Sequence, residues 1–357
     1  MKEENFLEID GSFGEGGGAI LRLATGFSYL FKIPVRISNI RANRPKPGLR
    51  TQHLLGLKTI SELTKSKLSD CKVGTKRITF TPNPMMEISP YIHVDVNTAA
   101  SLGLLLQPIQ IASLRIKGTN KIEISLSGGG TFGKWAPSLK YLQEVTYRIF
   151  SRSGLKIDLR IFKHGFYPKG GAKIMCTIYP SKEALNPIDL TELGNIKLLQ
   201  GDIVITNQLR RPRDNIGARI RKSIQQEIKR NINVETNIKI HWVESISPGV
   251  GLSLWSHSDT NAIISTGTIL GERNIRSENL GLMAANEIIK YVKNDVPVDS
   301  YLSDQLIPLM ACTKRPSRIK VLKITNHTKT NLELIKLFTK KEYHIMKEKG
   351  NYIIEIY

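Results

Sequence analysis

The sequence predicts an α/β fold of the α+β kind: three repeated β-α-β-α-β-β units forming one large domain, interrupted by a smaller inserted α+β domain. Three observations predict it. Strand-like and helix-like stretches follow the order β-α-β-α-β-β from residue 5 to about 82; the same order recurs between about 91 and 179; and a shorter version closes the chain after residue 300. Repetition on this scale points to stacked units, each pairing two helices with one face of a sheet. The large domain is expected at 1–184 plus 297–357 and the insertion at 185–296.

In the first unit, Asn5 to Asp10 is a strand, Gly11-Ser-Phe-Gly-Glu-Gly-Gly-Gly18 opens an apolar helix to about Phe31, and Pro34 to Ile40 is a second strand. A helix carrying Leu54, Leu55, Leu57 and Ile60 and a hairpin arm at 72–82 complete it. The second unit has a strand at 91–95, a helix from Thr98 to about Ile111, a strand-like stretch at 113–127 around Gly118-Thr-Asn, and a helix from the loop 128–137 to about Ser151. A wide hairpin (156–163, 171–179) closes it. The third copy is expected to be incomplete: helix 300–312, strand 318–324, helix 327–340 and hairpin 342–356. The insertion holds a strand at 198–206, a basic helix around Arg219-Ile-Arg-Lys222, strands near 236–244, 250–257 and 261–268, and a helix at 278–293.

The 357 residues carry 52 Lys and Arg against 31 Asp and Glu, a formal charge of +21. Such an excess favours polyanionic partners, because neutralised phosphates release counterions and the field speeds encounter. Cys71, Cys176 and Cys312 show no CxxC or CxxH spacing, which argues against a disulfide frame or structural zinc. No signal peptide is visible and no apolar segment approaches the roughly 18 residues of a membrane span, so a cytoplasmic protein is expected, or a nuclear one in a nucleated cell.

Two loops carry chemistry. Gly14-x-Gly16-x-x-Ala19 between strand and helix nominally fits a dinucleotide fingerprint, but the second strand ends without an acidic residue and Glu15 puts negative charge where pyrophosphate would sit. An acidic residue there makes sense if a divalent cation lies between carboxylate and phosphate; the competing reading is a glycine turn needed only for its geometry. Arg22 follows on the helix. Arg41, Arg44, Lys46 and Arg50 crowd one loop stiffened by Pro45 and Pro47 and leading to Gln52-His53, which suits bidentate binding of a terminal phosphate better than a single salt bridge. His164-Gly-Phe-Tyr-Pro-Lys-Gly-Gly171 reads as a hairpin loop, and His93 and His241 as sheet residues. His327, in Asn326-His-Thr-Lys-Thr330, is a lone imidazole at the start of the last helix.

Taken together, the 11–18 loop, Arg41 to Gly48 with Gln52-His53, the 164–171 loop, Tyr301-Leu-Ser-Asp-Gln-Leu306 and His327-Thr-Lys-Thr330 closely resemble the RNA 3'-terminal phosphate cyclase family over nearly the whole chain. The pattern departs at Phe13 and Ala19, where the family often has glutamine, and at Ala172, where it has a third glycine. The resemblance implies three repeated α/β units with a thioredoxin-like insertion. It also implies conversion of an RNA 3'-phosphate end to a 2',3'-cyclic phosphate, using ATP and a divalent metal (Mg or Mn) and releasing AMP and pyrophosphate. His327 matches the nucleophile that takes AMP. Glu15 and Gln107 match positions near the triphosphate and metal, and Asp304 a carboxylate near the nucleophile. Tyr301 matches an adenine-stacking ring, Pro137 the opposite wall of that pocket, and Gln305 the same ATP-binding stretch. Arg22, Arg41, Arg44, Gln52 and His53 match positions that handle phosphate and RNA. Two alternatives stay open: a non-catalytic relative acting in ribosome assembly, which lacks the histidine, and a small-metabolite transferase of related architecture. The oligomeric state is left open.

Overall fold

The computed structural model describes residues 5–83, 85, 88–115, 120–181 and 184–357. Met1 to Glu4 and the expected turn at Gly118-Thr119 lie outside the described residues. No helix among the described residues is long and apolar enough to cross a membrane.

The first unit runs β1 (Leu7–Asp10), α1 (Gly18–Phe31), β2 (Val35–Ser38), α2 (Thr51–Thr64), β3 (Lys67–Leu68) and β4 (Ile78–Thr81). Its sheet has the order β1-β2-β4-β3, with β1 and β2 parallel and β4 antiparallel to both neighbours. The α1 sequence is apolar nearly all round because the helix is buried nearly all round; Leu23, Ala24 and Phe27 are inaccessible to solvent. Each such large side chain contributes about 1.5–3 kcal/mol by leaving water. The helix stops at Lys32 in a left-handed conformation, and Pro34 follows.

The second unit repeats the plan. It runs β5 (Tyr91–Ser101), α3 (Leu102–Ser113), β6 (Ile122–Gly130), α4 (Leu139–Tyr141), a π turn at Leu142–Thr146, α5 (Tyr147–Ser153), β7 (Ile157–Lys163) and β8 (Lys173–Ile178), with sheet order β5-β6-β8-β7. Here the strand continues well past the expected end at Asp95 and the helix starts later than Thr98. Ser101 pairs with Gly130 and caps α3 by accepting from the Leu104 amide, so the cap rather than the apolar run sets the boundary.

The third unit is complete, which corrects the expectation of a partial copy. Its first strand is β9 (Asp189–Leu190), and the insertion follows as β10 (Ile196–Thr206), α6 (Ile216–Asn231), β11 (Glu235–Val243), β12 (Val250–Ser258), β13 (Ile263–Ser265), β14 (Ile269–Leu270) and α7 (Ser277–Lys293). The unit then resumes with α8 (Ser300–Met310), β15 (Ser317–Val321), α9 (Asn326–Thr339), β16 (Tyr343–Glu348) and β17 (Asn351–Ile356). β9 lies parallel to β15, and the sheet reads β9-β15-β17-β16, so all three sheets share the order first, second, fourth, third. A two-residue strand has no alternation to read, and its partner stands on the far side of the insertion. The inserted sheet has the order β11-β10-β12-β13, with β14 also on β12. We propose that the domain division falls between β9 and β10 rather than at residue 185.

The helices of the three units meet at the centre. Gly26 of α1 lies so close to α3 that a Cβ there would stand 2.9 Å from Ile111 Cβ, and Phe27 packs on Phe338 of α9 with ring centroids 5.4 Å apart. The carboxyl ends of the parallel strand pairs, and the first turns of the helices that follow, are where open α/β sheets place ligands.

Candidate active site

His327 is the second residue of α9. The turn before it is built by Thr325, whose hydroxyl caps the helix by accepting from the Thr328 amide at 2.9 Å. Beneath it, Asp304 of α8 accepts from Thr328 Oγ1 at 3.1 Å, and its backbone carbonyl accepts from Asn331 Nδ2, also at 3.1 Å. These bonds join the first turn of α9 to α8 and place a carboxylate below the imidazole. Burial raises the Asp304 carboxyl to about 6, with the nearby His327 charge and the threonine hydroxyls opposing.

The glycine loop comes to His327 from the first unit. Gly14 and Gly16 are in the left-handed region at φ +57 and +58, which turns the backbone sharply enough to lay the loop on α9. The Glu15 amide donates to Thr330 Oγ1 at 3.2 Å, and Thr330 Oγ1 donates to the Asn326 carbonyl at 2.8 Å. Glu15 thereby points one carboxylate oxygen at Arg44 and the other at Nδ1 of His327. The second oxygen, Oε2, is buried, and the group it meets is the imidazole Nδ1. Burial pushes the Glu15 carboxyl up, but His327 and Arg44 together outweigh it and hold the group below its ordinary value. The same contact raises His327, with burial and Arg22 opposing and the charges of Asp304 and Glu15 adding.

A second group of side chains converges on the start of α1. His53, in the first turn of α2, accepts from the Arg50 amide through Nδ1 at 3.1 Å, which leaves the ring proton on Nε2. It packs so tightly on α1 that a Cβ at Gly18 would lie 2.4 Å from Nε2. Burial, then Arg22, Arg41 and Arg50, lower the His53 ring to about 3, so it is neutral. Arg22 donates through Nε to Gln107 Oε1 on α3 at 2.9 Å; burial lowers it to about 10, which leaves the guanidinium charged at neutral pH. Arg22, Gln52 and His53 line a cleft between α1, α2 and α3. A charged guanidinium in the second turn of α1, with a neutral donor ring and an amide in the first turn of α2, suits an anion.

The arginine loop divides its labour. Arg44 faces Glu15, whereas Arg41 turns inward and donates to the carbonyls of Lys46 and Gly48, at 2.7 and 3.0 Å, so its guanidinium holds the loop together. Gln107 has its oxygen engaged by Arg22, and with Gln305 it lines a small cavity beside Pro308 of α8.

Tyr301 lies in the first turn of α8, edge-on to Tyr141 with centroids 6.1 Å apart, and Gly267 is packed against its ring. Pro137 is buried; the next residue, Ser138, donates its amide to Thr268 Oγ1 at 2.6 Å. The 267–268 turn of the insertion therefore touches both Tyr301 and the segment that carries Pro137. Sequence reasoning passed over Asp299, buried at 1% exposure, which caps α8 by accepting from the Tyr301 and Leu302 amides and accepts from Tyr141 Oη. An aspartate just before Ser-Tyr-Leu is a helix-start signal that could have revealed it. Thr330, read only as part of the motif that begins at His327, was given no role of its own, and only the tertiary contact shows one.

Among the described residues, no group of three or more His, Cys, Asp or Glu side chains stands ready to hold a metal. His93 and His241 are strand residues, bonded to Ser125 and to Asp202 respectively.

A family model described as RNA 3'-terminal phosphate cyclase matches residues 13–345. A protein of Thermococcus onnurineus named RNA 3'-terminal phosphate cyclase is 34% identical over 346 residues, covering 97% of each chain. One of the same name from Pyrobaculum aerophilum is 32% identical over 351 residues, covering 98% of this chain and 97% of its own, and one from Methanopyrus kandleri is 31% identical over 351 residues, covering 97% of each.

Proposed function

The chain belongs to the RNA 3'-terminal phosphate cyclase family, and from that premise we propose that it converts an RNA 3'-phosphate to a 2',3'-cyclic phosphate with ATP, carrying AMP on His327. The observation that supports this most directly is the contact of His327 Nδ1 with Glu15 Oε2 at the amino end of α9. A carboxylate on Nδ1 keeps the ring proton there, so the neutral imidazole presents the Nε2 lone pair outward.

Nε2 attacks the α-phosphorus of ATP; a phosphorus–nitrogen bond forms and the bond to pyrophosphate breaks. An oxygen of the RNA 3'-phosphate then displaces the imidazole from that phosphorus. Finally the vicinal 2'-hydroxyl attacks the 3'-phosphorus, loses its proton and expels AMP. Alignment and neutralisation of charge supply most of the rate in such transfers. Arg22, Gln52 and His53 hold the RNA phosphate, Arg44 pairs with Glu15, and Tyr301 with Pro137 takes the adenine. Arg41 acts by shaping its loop.

The residues fit a divalent ion at Glu15. A carboxylate oxygen accepts more than one partner, so Glu15 can take a hard cation of the Mg or Mn type beside its contacts with Arg44 and His327, with phosphate oxygens and water as the other ligands. Glu15 would hold the ion, with Gln107, whose oxygen accepts from Arg22 and keeps a second lone pair, as a further candidate. Such an ion neutralises triphosphate charge.

The test is incubation with ATP labelled at the α-phosphate. An acid-labile, alkali-stable protein adduct is expected in the unchanged chain and is absent from His327→Ala. An adduct that survives in that variant would sink the assignment. A non-catalytic role is favoured by no observation at this site, since the imidazole and its carboxylate partner are both in place.

A further inference from the structure

Two turns of the second unit project aromatic rings into solvent. The first, closed by the Gly133–Ala136 bridge, carries Lys134 and Trp135 at its tip; the second, closed by the Phe166–Gly170 bridge, carries Tyr167, Pro168 and Lys169. Trp135 is 84% exposed and Tyr167 81%, more than any other aromatic residue among the described ones. Trp135 also sits at φ +60, where a bulky side chain is uncommon and costs about 1–2 kcal/mol. Neither burial nor backbone preference accounts for a tryptophan held there.

The stems beneath these tips are rigid. Phe132 and Phe166 stack with centroids 5.2 Å apart and an interplanar angle of 12°, and the Thr131 amide donates to the Gly165 carbonyl at 3.0 Å. From behind, the insertion packs its own backbone on them: a Cβ at Gly249 or Gly251 would lie 2.3 or 2.4 Å from the Phe166 or Phe132 ring. The Lys134 ammonium lies 5.2 Å from the Trp135 ring centroid and donates to Glu272 Oε1 of the insertion at 2.9 Å, in an exposed ion pair that an RNA phosphate can replace. The turn at 131–137 follows the second strand of its unit, the place that the arginine loop has in the first unit and the turn before His327 has in the third. The two tips therefore belong to the same end of the fold as the site.

We propose that Trp135 and Tyr167 form a stacking platform for nucleotides of single-stranded RNA upstream of the 3' end, with Lys169 facing its phosphates and Lys134 exchanging Glu272 for one. Isolated rings on stiff turns, each next to a lysine on a chain of charge +21, fit unpaired bases on an anionic backbone better than a contiguous apolar partner would. The inference rests on RNA being the substrate but not on His327 being the nucleophile.

The test titrates the full chain with a single-stranded RNA of about ten nucleotides ending in a 3'-phosphate, a length near one single-strand site, and follows tryptophan fluorescence. Of the other tryptophans, Trp255 is buried and Trp242 lies under Arg210, so Trp135 dominates the response. Quenching is expected, and its loss in Trp135→Phe, which keeps a stacking ring and near-normal Kd. Trp135→Ala with Tyr167→Ala should weaken Kd for that RNA about tenfold or more, leave Kd for a nucleoside 3'-phosphate unchanged, and leave self-adenylation by ATP alone intact. The proposal is overturned by unchanged Kd in the double variant, by equal weakening for the mononucleotide, or by loss of self-adenylation, which would put the rings in the ATP site. Failure of the nucleophile assignment is visible separately, as absence of the adduct in the unchanged chain.

Discussion

Gly14→Ala tests whether the glycine loop is held by α9. The residue is at φ +57, which costs an alanine about 1–2 kcal/mol. Its methyl would also stand 2.2 Å from Thr330 Oγ1, well inside any real contact. Thr330 is buried at 1% exposure, so its hydroxyl has to rotate away, and doing so breaks its bonds to the Asn326 carbonyl and the Glu15 amide. At about 0.5–1.5 kcal/mol for each bond, the substitution costs about 2–5 kcal/mol in all, less than most domains possess. Thr330→Ala alone loses the same two bonds, about 1–3 kcal/mol. The two costs overlap, so in the Gly14→Ala background Thr330→Ala should cost almost nothing more, a coupling of about 1–3 kcal/mol. Urea unfolding of the four proteins, compared through their midpoints at constant slope, reads this directly. Self-adenylation should fall about a hundredfold in Gly14→Ala, because a shift of order 1 Å moves Glu15 off the imidazole. Full additivity of the two substitutions would show that the loop is not docked on Thr330, and the reasoning would fail.

Two further outcomes concern protons. His327 must be neutral to attack, and its contact with Glu15 raises it, so the acid limb of self-adenylation should lie above the ordinary imidazole value of 6.5 and move to lower pH in Glu15→Gln; a limb that stays in place means that another group governs it. His53 is lowered by burial and three arginines to about 3, whereas the unfolded chain takes the proton near 6.5. Its contribution to stability is thus present above pH 6.5 and is lost as pH falls toward 3, with a slope of up to about 1.4 kcal/mol per pH unit. His53→Gln should flatten that decline in urea unfolding between about pH 4 and 6.5; equal slopes in the two proteins would contradict the buried neutral ring.

Much of this molecule was legible in its residues because the signals are local. Alternation in β2 and β6, the apolar run of α1, the caps and the glycine turns each act within a few positions, so the element order and the existence of repeated units could be read directly. The loops at 11–18 and 41–53 stood out for the same reason, since their residue types and spacing are chemical in themselves, whereas the lone His327 drew its role only from the family resemblance. What the sequence could not determine is what these pieces touch. β9 is two residues long and finds β15 only across the insertion, so the third unit looked incomplete. Arg41 and Arg44 look alike on one loop, yet one closes the loop and the other meets Glu15, a difference decided by where the carbonyls of Lys46 and Gly48 happen to lie. Gln107 reads as a polar ligand, and only the fold shows that its oxygen accepts from Arg22. Glu15 and Thr330 stand 315 positions apart, and no short-range preference encodes their bond. That bond forms because α1, α3 and α9 share one core, and burying their apolar faces brings a carboxylate from the first unit to an imidazole in the last.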